Sequence, residues 1–467
     1  MADGAVASAI QSMHMSAEDE NDLNGFFEGL ALISPLSNEQ IRELLADGAR
    51  LDLRHYCGQG SALCTKSGFQ SLESIVFRRV RSLEDARTYD PEEVLREIAD
   101  KICPALSEGA QHGEQENAVF ERIFASALNA VAQERRESTY HFPVVLAGAT
   151  SPDEFEIGPV KFRNASRFAT WLAELNSDET EIDERIERHE FMRYVERFGW
   201  MASVRVPACS SEIARVRAEL AARTAVNIVR VWFGLGHGSR MRLVHAEPAV
   251  SNSSDYLIEI DRAISLCSSR TWEGAAVVDG WFSQVHVMHH RVASWLIRDI
   301  VFDERTEIVE RLIDALSWFG DAAFEPSPGA KIAKLVMLLE RITSTSNNKR
   351  FSKPRFCRRV AILAGESEAD FTTKYWDAYR LYIARSTITH GASSQGSDDY
   401  WAALRESQKM VTNAIFGGME VYGVLRFRRQ GGPNSLQGFF DQEENRRLMV
   451  TKVLDAELRA EDEKRGF

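Results

Sequence analysis

The sequence lacks a cysteine framework and long apolar runs. Its six cysteines are scattered over 467 residues, without the spacing of a disulfide-stapled domain or a closed zinc site. No apolar run approaches the roughly 18 residues of a membrane-spanning helix. A cationic start followed by an apolar core, which marks a secretory signal, is also missing. These absences predict a cytoplasmic protein with free thiols and no membrane partner.

Positive charge is missing from the start of the chain and concentrated towards its end. Residues 1–30 contain six Asp and Glu and no Lys or Arg, and they predict a mobile acidic lead-in over residues 1–25. The net charge of −13 excludes a protein that coats nucleic acid over its whole surface. Residues 331–430 nevertheless hold 17 Lys and Arg against 9 Asp and Glu, a surplus of 8 that leaves −21 for the rest. Such a region fits either a localised phosphate-binding site or a basic face paired with acidic neighbours in the same fold.

No internal repeat or low-complexity tract divides the chain, so its domains are inferred from changes in residue pattern. The length favours two or three domains. Residues 26–140 have the pattern of helices, with a cap-like start at Ser37 and another helix opening at Pro91. Short strands begin at His141, and residues 141–285 are expected to form an α+β middle domain. We therefore predict a mainly α protein in which an α+β region is followed by an all-α helical bundle.

The strands expected in the middle region share apolar residues bounded by turn residues. They cover residues 142–146, 155–162, 202–206, 240–244 and 275–278. Two helices are expected among them, over residues 177–198 and 210–231, the second capped by Ser210 or Ser211. This mixture of strands and helices is the basis of the α+β assignment.

Two groups of residues in this region resemble ligand sites but have simpler explanations. The glycine-rich segment 234–238 follows a helix and precedes a strand, which is the reverse of the order in a nucleotide-binding loop. His286, His289 and His290 lack a matching carboxylate arrangement and are expected at the start of a helix. We therefore predict a turn, a helix start, and neither a metal nor a cofactor.

From Val292 onward the pattern is almost entirely helical. Four helices joined by short links are expected over residues 304–324, 332–342, 371–390 and 399–422. This is the arrangement of a helical bundle, which we assign to residues 286–434. Residues 435–467 are expected to form a separate charged helix, suited to a partner-facing arm.

A dense basic cluster lies between the second and third of these helices. Its predicted RNA-binding members are Arg350, Lys353, Arg355, Arg358 and Arg359. Such cations, interleaved with aromatic residues, suit contact with RNA phosphates. Tyr379 and Tyr382, on the following helix, are predicted to stack on bases, with packing against a neighbouring helix as the alternative.

The stretch from Tyr379 to Gly391 has the features of a helix end. Apolar residues repeat at helical spacing, and Gly391 stands where a left-handed residue would stop the helix. Arg385 and His390 lie near this end, among hydroxyl side chains. Arginine binds phosphate through a fixed fork of donors, and histidine transfers protons near neutral pH, so the pair could cleave RNA without a metal. An ordinary helix terminus with a basic last turn explains the same residues.

This helix end resembles the signature of the HEPN superfamily, an arginine followed four to six residues later by a histidine. Arg385-Ser386, then His390-Gly391, after an aromatic-rich helix, is most similar to the Apea-like HEPN group. The resemblance covers about residues 300–430. It implies an all-helical bundle, a homodimer with a composite Arg–His cleft, and metal-independent endoribonuclease activity in bacterial anti-phage defence or in a toxin. Active relatives usually have Asn, Asp or His after the arginine, whereas here the residue is Ser386.

Helix geometry bears on how such a pair could act. Arg385 and His390 are about 140° apart on an ideal helix, since each residue turns by roughly 100°. One regular helix therefore cannot easily hold a phosphate with both, so either the last turn unwinds or a second protomer completes the site. In the expected reaction the RNA 2′-hydroxyl attacks the adjacent phosphorus, leaving a 2′,3′-cyclic phosphate. His390 would be the general base or acid, Arg385 would stabilise the phosphorane, and Ser386 would supply a hydrogen bond.

Two other functions fit the same sequence. The bundle could serve dimerisation or docking without catalysis, which Ser386 and the acidic bulk of the chain favour. Residues 1–285 could be a sensor that recognises a phage component and holds the nuclease inactive, because no chemistry is visible there. The sensor and nuclease interpretations are compatible. The expected partners are thus RNA, with tRNA as one candidate, a second copy of the chain, and a phage-derived trigger.

Overall fold

The chain divides into two compact units, residues 1–138 with 206–217 and residues 139–205 with 218–467. The computed structural model describes residues 16–32, 62–83, 85–146, 152–175, 196, 199–235, 241–243, 253–260, 263–270, 281–345, 352–389, 398–427 and 433–465. Helices dominate these residues, with a small antiparallel sheet in the middle of the chain and a helical region after it. The predicted fold class is confirmed.

Four helices and one pair of short strands make up most of the described part of the first unit. They are α1 (Ala17–Gly29), β1 (Leu30–Leu32), β2 (Ala62–Cys64), α2 (Lys66–Arg81), α3 (Pro91–Gln111) and α4 (Glu116–Glu134). The two strands pair antiparallel, with Ala31 opposite Leu63. A continuous apolar core joins the helices and includes Phe26, Leu72, Ile98 and Phe124. The predicted helix start at Pro91 is confirmed, and the one at Ser37 lies outside the described residues.

Helix α1 replaces the end of the acidic lead-in that was expected over residues 1–25, of which residues 1–15 lie outside the described residues. The Ser16 hydroxyl accepts a hydrogen bond from the Asp19 backbone at 3.1 Å, and the Asp19 carboxylate accepts one from the Ser16 backbone at 3.2 Å. Asp19 and Asp22 also pair with Arg78 of α2. Carboxylates in a first helical turn satisfy free N–H groups and complement the helix dipole. The acidic residues Glu18, Asp19 and Glu20 therefore belong to a helix start.

Most of a five-stranded sheet lies in the second unit. Its strands are β3 (Arg136–Leu146), β4 (Glu154–Ile157), β5 (Val160–Asn164), β6 (Trp200–Cys209) and β7 (Met241–Leu243), in the order β4-β5-β6-β3-β7. Helix α5 (Ala165–Leu175) follows β5, and α6 (Ser211–Phe233) follows β6. A separate antiparallel pair is formed by β8 (Ser253–Ile260) and β9 (Ala263–Arg270). The strands predicted at 142–146, 202–206 and 240–244 are confirmed, whereas residues 177–195 and 275–278 lie outside the described residues.

The predicted strand over residues 155–162 is two strands, because the chain turns at Gly158. This glycine has φ of +57°, a conformation that side chains rarely adopt. A Cβ atom there would also lie 2.5 Å from the Ser294 carbonyl oxygen. Strands β4 and β5 pair across the turn, with Phe155 opposite Phe162. The turn thus needs glycine for both its backbone and its close contact.

The described residues of the second unit from 281 onward are mainly helical. They form α7 (Val287–Val301), α8 (Glu307–Phe324), α9 (Pro328–Thr343), α10 (Lys353–Ala364), α11 (Glu368–Thr389), α12 (Asp398–Arg426), α13 (Leu436–Arg446) and α14 (Leu448–Arg465). Helices α8 to α12 bury a shared set of apolar side chains, among them Leu312, Leu339, Phe356, Phe371 and Ile415. None of the described helices is both long and apolar enough to cross a membrane.

Two helical segments differ from the sequence prediction. The described members of the basic cluster, from Lys353 to Arg359, lie on a helix of their own, α10, with Pro354 in its first turn, where no backbone N–H is needed. The single helix expected from Ser435 onward is divided into α13 and α14 at Arg447, which has non-helical φ of −109° and ψ of 20°. The Arg447 guanidinium lies over the Phe371 ring, 4.8 Å from its centre. Both differences concern the helices around the candidate site.

Candidate functional site

Arg385 and Ser386 lie near the end of helix α11, as the sequence predicted. Both side chains are half-buried. His390 and Gly391 follow the helix and lie outside the described residues. The helix continues past Arg385 to Thr389, so Arg385 and Ser386 have helical backbones.

Glu340 of α9 and Tyr382 of α11 form an electrostatic cluster with Arg385. Burial raises the pKa of the Glu340 carboxyl, and the positive charge of Arg385 opposes this shift. Burial also raises the pKa of Tyr382. The negative charge of Glu340 adds to this increase, and the positive charge of Arg385 opposes it. A carboxyl with a raised pKa close to an arginine is a frequent feature of functional sites. Sequence reasoning missed Glu340, although a lone carboxylate directly after the buried Leu338 and Leu339 was a signal for it.

The structure pairs three of the predicted RNA-binding cations with carboxylates of α13 and α14. Lys353 Nζ lies 2.8 Å from an oxygen of Asp462. Arg358 lies 2.7 Å from Asp455, and Arg359 lies 3.0 Å from Glu444. Arg355 is half-buried on the same helix, and Arg350 lies outside the described residues. In this conformation carboxylates therefore bind the cations that were predicted to bind phosphates.

Two tyrosines of α11 donate to the same carboxylates of α14. The Tyr379 hydroxyl donates to Asp462 at 2.9 Å, and its side chain is only 2 % exposed. The Tyr375 hydroxyl donates to Asp455 at 2.9 Å and is also buried. Burial, followed by the negative charges around it, raises the pKa of Tyr375. The Tyr375 hydroxyl therefore remains a protonated donor.

Tyr382 has a different environment from these two tyrosines. Its ring lies 5.2 Å from that of Phe356, and the residue is half-buried. The structure thus brings Tyr382 to Arg385, whereas Tyr379 lies with Lys353 at Asp462. Of the two tyrosines predicted to stack on bases, Tyr382 is the more accessible in this conformation.

Arg359 holds the ends of three helices together. Its side chain is fully buried and donates to the Thr343 carbonyl at 2.7 Å, where α9 ends. It also contacts Glu444 and Gln437 of α13, and its guanidinium lies 4.6 Å from the centre of the Phe440 ring. Burial lowers the pKa of Arg359 and the Glu444 carboxylate opposes the shift. This arrangement fixes α10 against its neighbours.

A cleft of about 710 Å³ elsewhere in the helical region contains a buried acid that sequence reasoning also missed. Asp299 accepts a hydrogen bond from Tyr422 at 2.5 Å and pairs with Arg426. Glu304 lies 3.7 Å from the same arginine. Burial raises the pKa of Tyr422, and the negative Asp299 adds to the shift. Tyr422 and Arg426 both donate to Oδ2 of Asp299, whereas its Oδ1 has no hydrogen-bond partner among the described residues.

The histidine-rich segment begins helix α7, as predicted. His286 precedes the first turn, and His289 stacks on Phe416 with ring centres 4.2 Å apart. His290 contacts the Glu156 carbonyl at 2.8 Å. Within the described parts of the chain, no group of three or more His, Cys, Asp or Glu could hold a metal ion.

No family model, curated protein or solved structure matches the chain. The functional interpretation therefore depends on the residues themselves, above all on the end of α11 and the surface it shares with α10.

Proposed function

We propose that the chain is a metal-independent endoribonuclease of the HEPN type, centred on Arg385, His390 and Ser386. The setting of Arg385 is the observation that carries the proposal. This arginine is half-buried near the end of a bundle helix, beside Glu340, whose pKa burial raises, and beside Tyr382. Partial burial strengthens its attraction for a phosphate relative to a fully solvated arginine.

Each group has a defined part in the proposed reaction. The RNA 2′-oxygen attacks the adjacent phosphorus while its proton passes to a base, and the bond from phosphorus to the 5′-oxygen breaks as that oxygen gains a proton. His390 supplies one of the two proton transfers. Arg385 stabilises the charge that develops on the non-bridging oxygens, and Ser386 donates a hydrogen bond to the phosphate. The carboxyl of Glu340 interacts electrostatically with Arg385.

The proposed biological role follows from this chemistry. An endoribonuclease that cleaves tRNA or other cellular RNA stops growth of its own cell, which suits abortive infection by phage or a toxin. Residues 1–285 would then sense the trigger and regulate the nuclease. When the protein is expressed in bacteria under conditions that release this regulation, growth is expected to stop. The Arg385→Ala variant, expressed in the same way, is expected to allow growth.

The decisive experiment measures RNA cleavage in EDTA by the unmodified protein, Arg385→Ala and His390→Ala. The unmodified protein should leave 2′,3′-cyclic phosphate ends, and each variant should lose at least about 100-fold in rate, the usual effect of removing a charge-stabilising group. Arg380→Ala is the matched control, because Arg380 lies on the same helix and pairs with Asp377. Equal cleavage by all four proteins, or none by the unmodified protein on tRNA and total RNA, would overturn the proposal.

An interaction protein without catalysis is the second candidate, and exposed apolar side chains on α14 favour it. Met449 is 75 % exposed and Val453 is 56 % exposed, one helical turn apart. Single residues of this kind are ordinary, but a pair on one face suits a partner. Self-association that Met449→Ser with Val453→Ser abolishes, in a protein without RNA cleavage, would favour this candidate.

A further inference from the structure

Helix α14 packs against the bundle with an acidic side and exposes apolar residues. Asp455 and Asp462 are less than a fifth exposed, whereas Leu448, Met449 and Val453 are largely exposed. Among its described side chains only Leu454 and Leu458 are buried apolar ones. The inner side of α14 thus combines two buried leucines with two partly buried carboxylates, whereas the usual amphipathic helix buries only apolar residues. Contacts to charged and polar groups therefore add to the packing of these leucines in holding α14.

The two buried carboxylates of α14 have the same kind of partners. Asp455 binds one cation of α10, Arg358, and one tyrosine hydroxyl of α11, that of Tyr375. Asp462 binds Lys353 of α10 in the same way. It also accepts from Tyr379 of α11. The surface of α10 and α11 therefore contains two anion sites, each made of a cation and a hydroxyl donor.

These sites suit phosphate as well as carboxylate. Arginine, lysine and tyrosine hydroxyls donate to phosphate oxygens as they do to carboxylate oxygens. Asp455 and Asp462 are seven residues apart, which is about 10.5 Å along a helix at 1.5 Å per residue. Two anions held at such a spacing by one rigid surface imitate a charged backbone.

We propose that α14 is an internal mimic of the RNA backbone, which occupies a phosphate-binding surface on α10 and α11 and is displaced by RNA. The inference rests on the proposed nuclease function and names the regulation of its substrate-binding surface. The surface consists of Lys353, Arg358, Tyr375 and Tyr379. RNA competes with Asp455 and Asp462 for the same donors, so the protein holds its RNA-binding surface closed until a polyanion or another partner removes α14.

The structure provides for such a movement. Helix α13 is anchored by the buried Leu436 and Phe440, while the break at Arg447 separates it from α14. Helix α14 could therefore leave without α13. Ion pairs at a partly exposed interface weaken as salt or a competing polyanion is added.

The test compares two pairs of substitutions that change the net charge equally. Asp455→Asn with Asp462→Asn removes the mimic charges, and Glu457→Gln with Glu463→Gln removes two exposed carboxylates of the same helix. Each pair is made with His390→Ala to prevent cleavage, and binding of a labelled 12-nucleotide single-stranded RNA is measured by fluorescence anisotropy. The asparagine pair should tighten RNA binding about tenfold, since it removes the competing charges, and the glutamine pair less than about twofold. RNA should also speed hydrogen exchange in residues 448–465 of the protein with Asp455 and Asp462 intact.

A third variant keeps the result clear if the asparagine pair loosens the fold. Adding Lys353→Gln and Arg358→Gln to the asparagine pair should abolish the gain in RNA binding. Equal tightening by both pairs, no tightening by the asparagine pair, a gain that survives loss of the two cations, or no RNA binding by any variant would each overturn the inference.

Cleavage by the unmodified protein separates this inference from the proposed function. RNA cleavage without any effect of the asparagine pair would overturn the role of α14 and leave the nuclease standing. Tighter binding by the asparagine pair, with no cleavage by any form that retains Arg385 and His390, would overturn the proposed nuclease function and leave the role of α14 standing.

Discussion

Neighbouring cations of helix α10 have different contacts, which their sequence spacing alone does not reveal. Arg359 is completely buried and reaches the Thr343 carbonyl, whereas Arg358 is about a fifth exposed and binds Asp455. Successive helical residues point about 100° apart, so adjacent arginines serve different neighbours. A run of basic residues therefore predicts a charged segment. Only the structure distinguishes the cation that stabilises the fold from the cation that a ligand could reach.

His141 of strand β3 is another residue whose role depends on its surroundings. Its ring Nδ1 lies 2.9 Å from the Ser203 hydroxyl, and the rings of Phe168 and Trp171 pack against it. Burial, with the positive charge of Arg163 adding to it, lowers the pKa of His141 from 6.5 to about 4. The folded protein therefore favours the neutral imidazole.

This shift predicts a loss of stability in mild acid. Because the folded pKa lies below the unfolded one, the contribution of His141 is complete above pH 6.5 and is lost as the pH falls towards 4. The full shift corresponds to roughly 3 kcal/mol, at 1.36 kcal/mol for each pKa unit. We expect urea unfolding to become easier between these pH values, and His141→Gln to remove most of that dependence.

The exposed His112 supplies the control for this prediction. His112→Gln should leave the pH dependence of unfolding parallel to that of the unmodified protein. If the pH dependence of unfolding of His141→Gln is also parallel to that of the unmodified protein between pH 6.5 and 4, the folded state does not hold His141 in its neutral form. Hydrogen exchange in strands β3 and β6 then shows whether acid loosens the sheet locally.

Helices with strong apolar periodicity were predictable, and those defined by charge were not. The apolar stripe of α8 and the prolines before α9 indicated both helices within a few residues. Helix α1 was missed because its acidic first turn, which Arg78 neutralises, has the composition of a mobile segment. Arg78 lies more than 50 residues from the carboxylates that it binds, so the sequence around these carboxylates does not reveal their partner.

Prediction of the sheet and prediction of the candidate site from the sequence were limited in the same way. Four predicted strand segments overlapped all five strands of the sheet, one of them both β4 and β5, but the order β4-β5-β6-β3-β7 depends on contacts between distant segments. Likewise Arg385 and Ser386 were visible from their place at a helix end. Glu340, 45 positions earlier, comes near Arg385 only because α9 packs against α11.

The packing of α9, α10 and α13 gives a prediction about Arg359. Arg359→Ala would leave the Thr343 carbonyl and the Glu444 carboxylate without their shared donor in a buried place. Breaking one side of a buried ion pair typically costs about 3–5 kcal/mol, and we expect unfolding to be easier by that amount. Urea or thermal unfolding measures it.

Arg446 of α13 is the matched control, because it is largely exposed and pairs only loosely with Glu443, at 3.4 Å. Arg446→Ala should change stability by less than about 0.5 kcal/mol, as surface ion pairs usually do. A similar effect of both substitutions would contradict a special role of Arg359. Arg359→Lys should recover only part of the loss, since lysine lacks the fork of donors that reaches both partners.

The contacts between the helices explain how a basic region fits into an acidic chain. Residues 331–430 are basic in an acidic protein, and Lys353, Arg358 and Arg359 of this region are paired with Asp462, Asp455 and Glu444. The two interpretations of the basic region, a phosphate site and a face neutralised within the fold, are therefore compatible. The neutralised face is the closed form, and the proposed phosphate site is the open one.

The proposed nuclease site is expected to form between two copies of the chain, and mixed variants test this expectation. Arg385 and His390 point about 140° apart on a regular helix, so an arginine from one copy would act with the histidine of the other. In a mixed dimer of Arg385→Ala with His390→Ala, one of the two composite sites keeps both groups and the other has neither. Random exchange makes half of all dimers mixed, so the mixture should regain about a quarter of the unmodified activity.

Each variant alone supplies the baseline, and each should be inactive at any concentration. The regained activity should appear only after the two proteins have had time to exchange subunits, and it should fall on dilution below the dissociation constant of the dimer. A doubly substituted chain, Arg385→Ala with His390→Ala, mixed with either single variant should regain nothing, because no composite site is then complete. Activity that stays at the baseline in every mixture, although co-purification of two differently tagged copies shows mixed dimers, would place both groups in one protomer. The last turn of α11 would then have to unwind to bring Arg385 and His390 to the same phosphate.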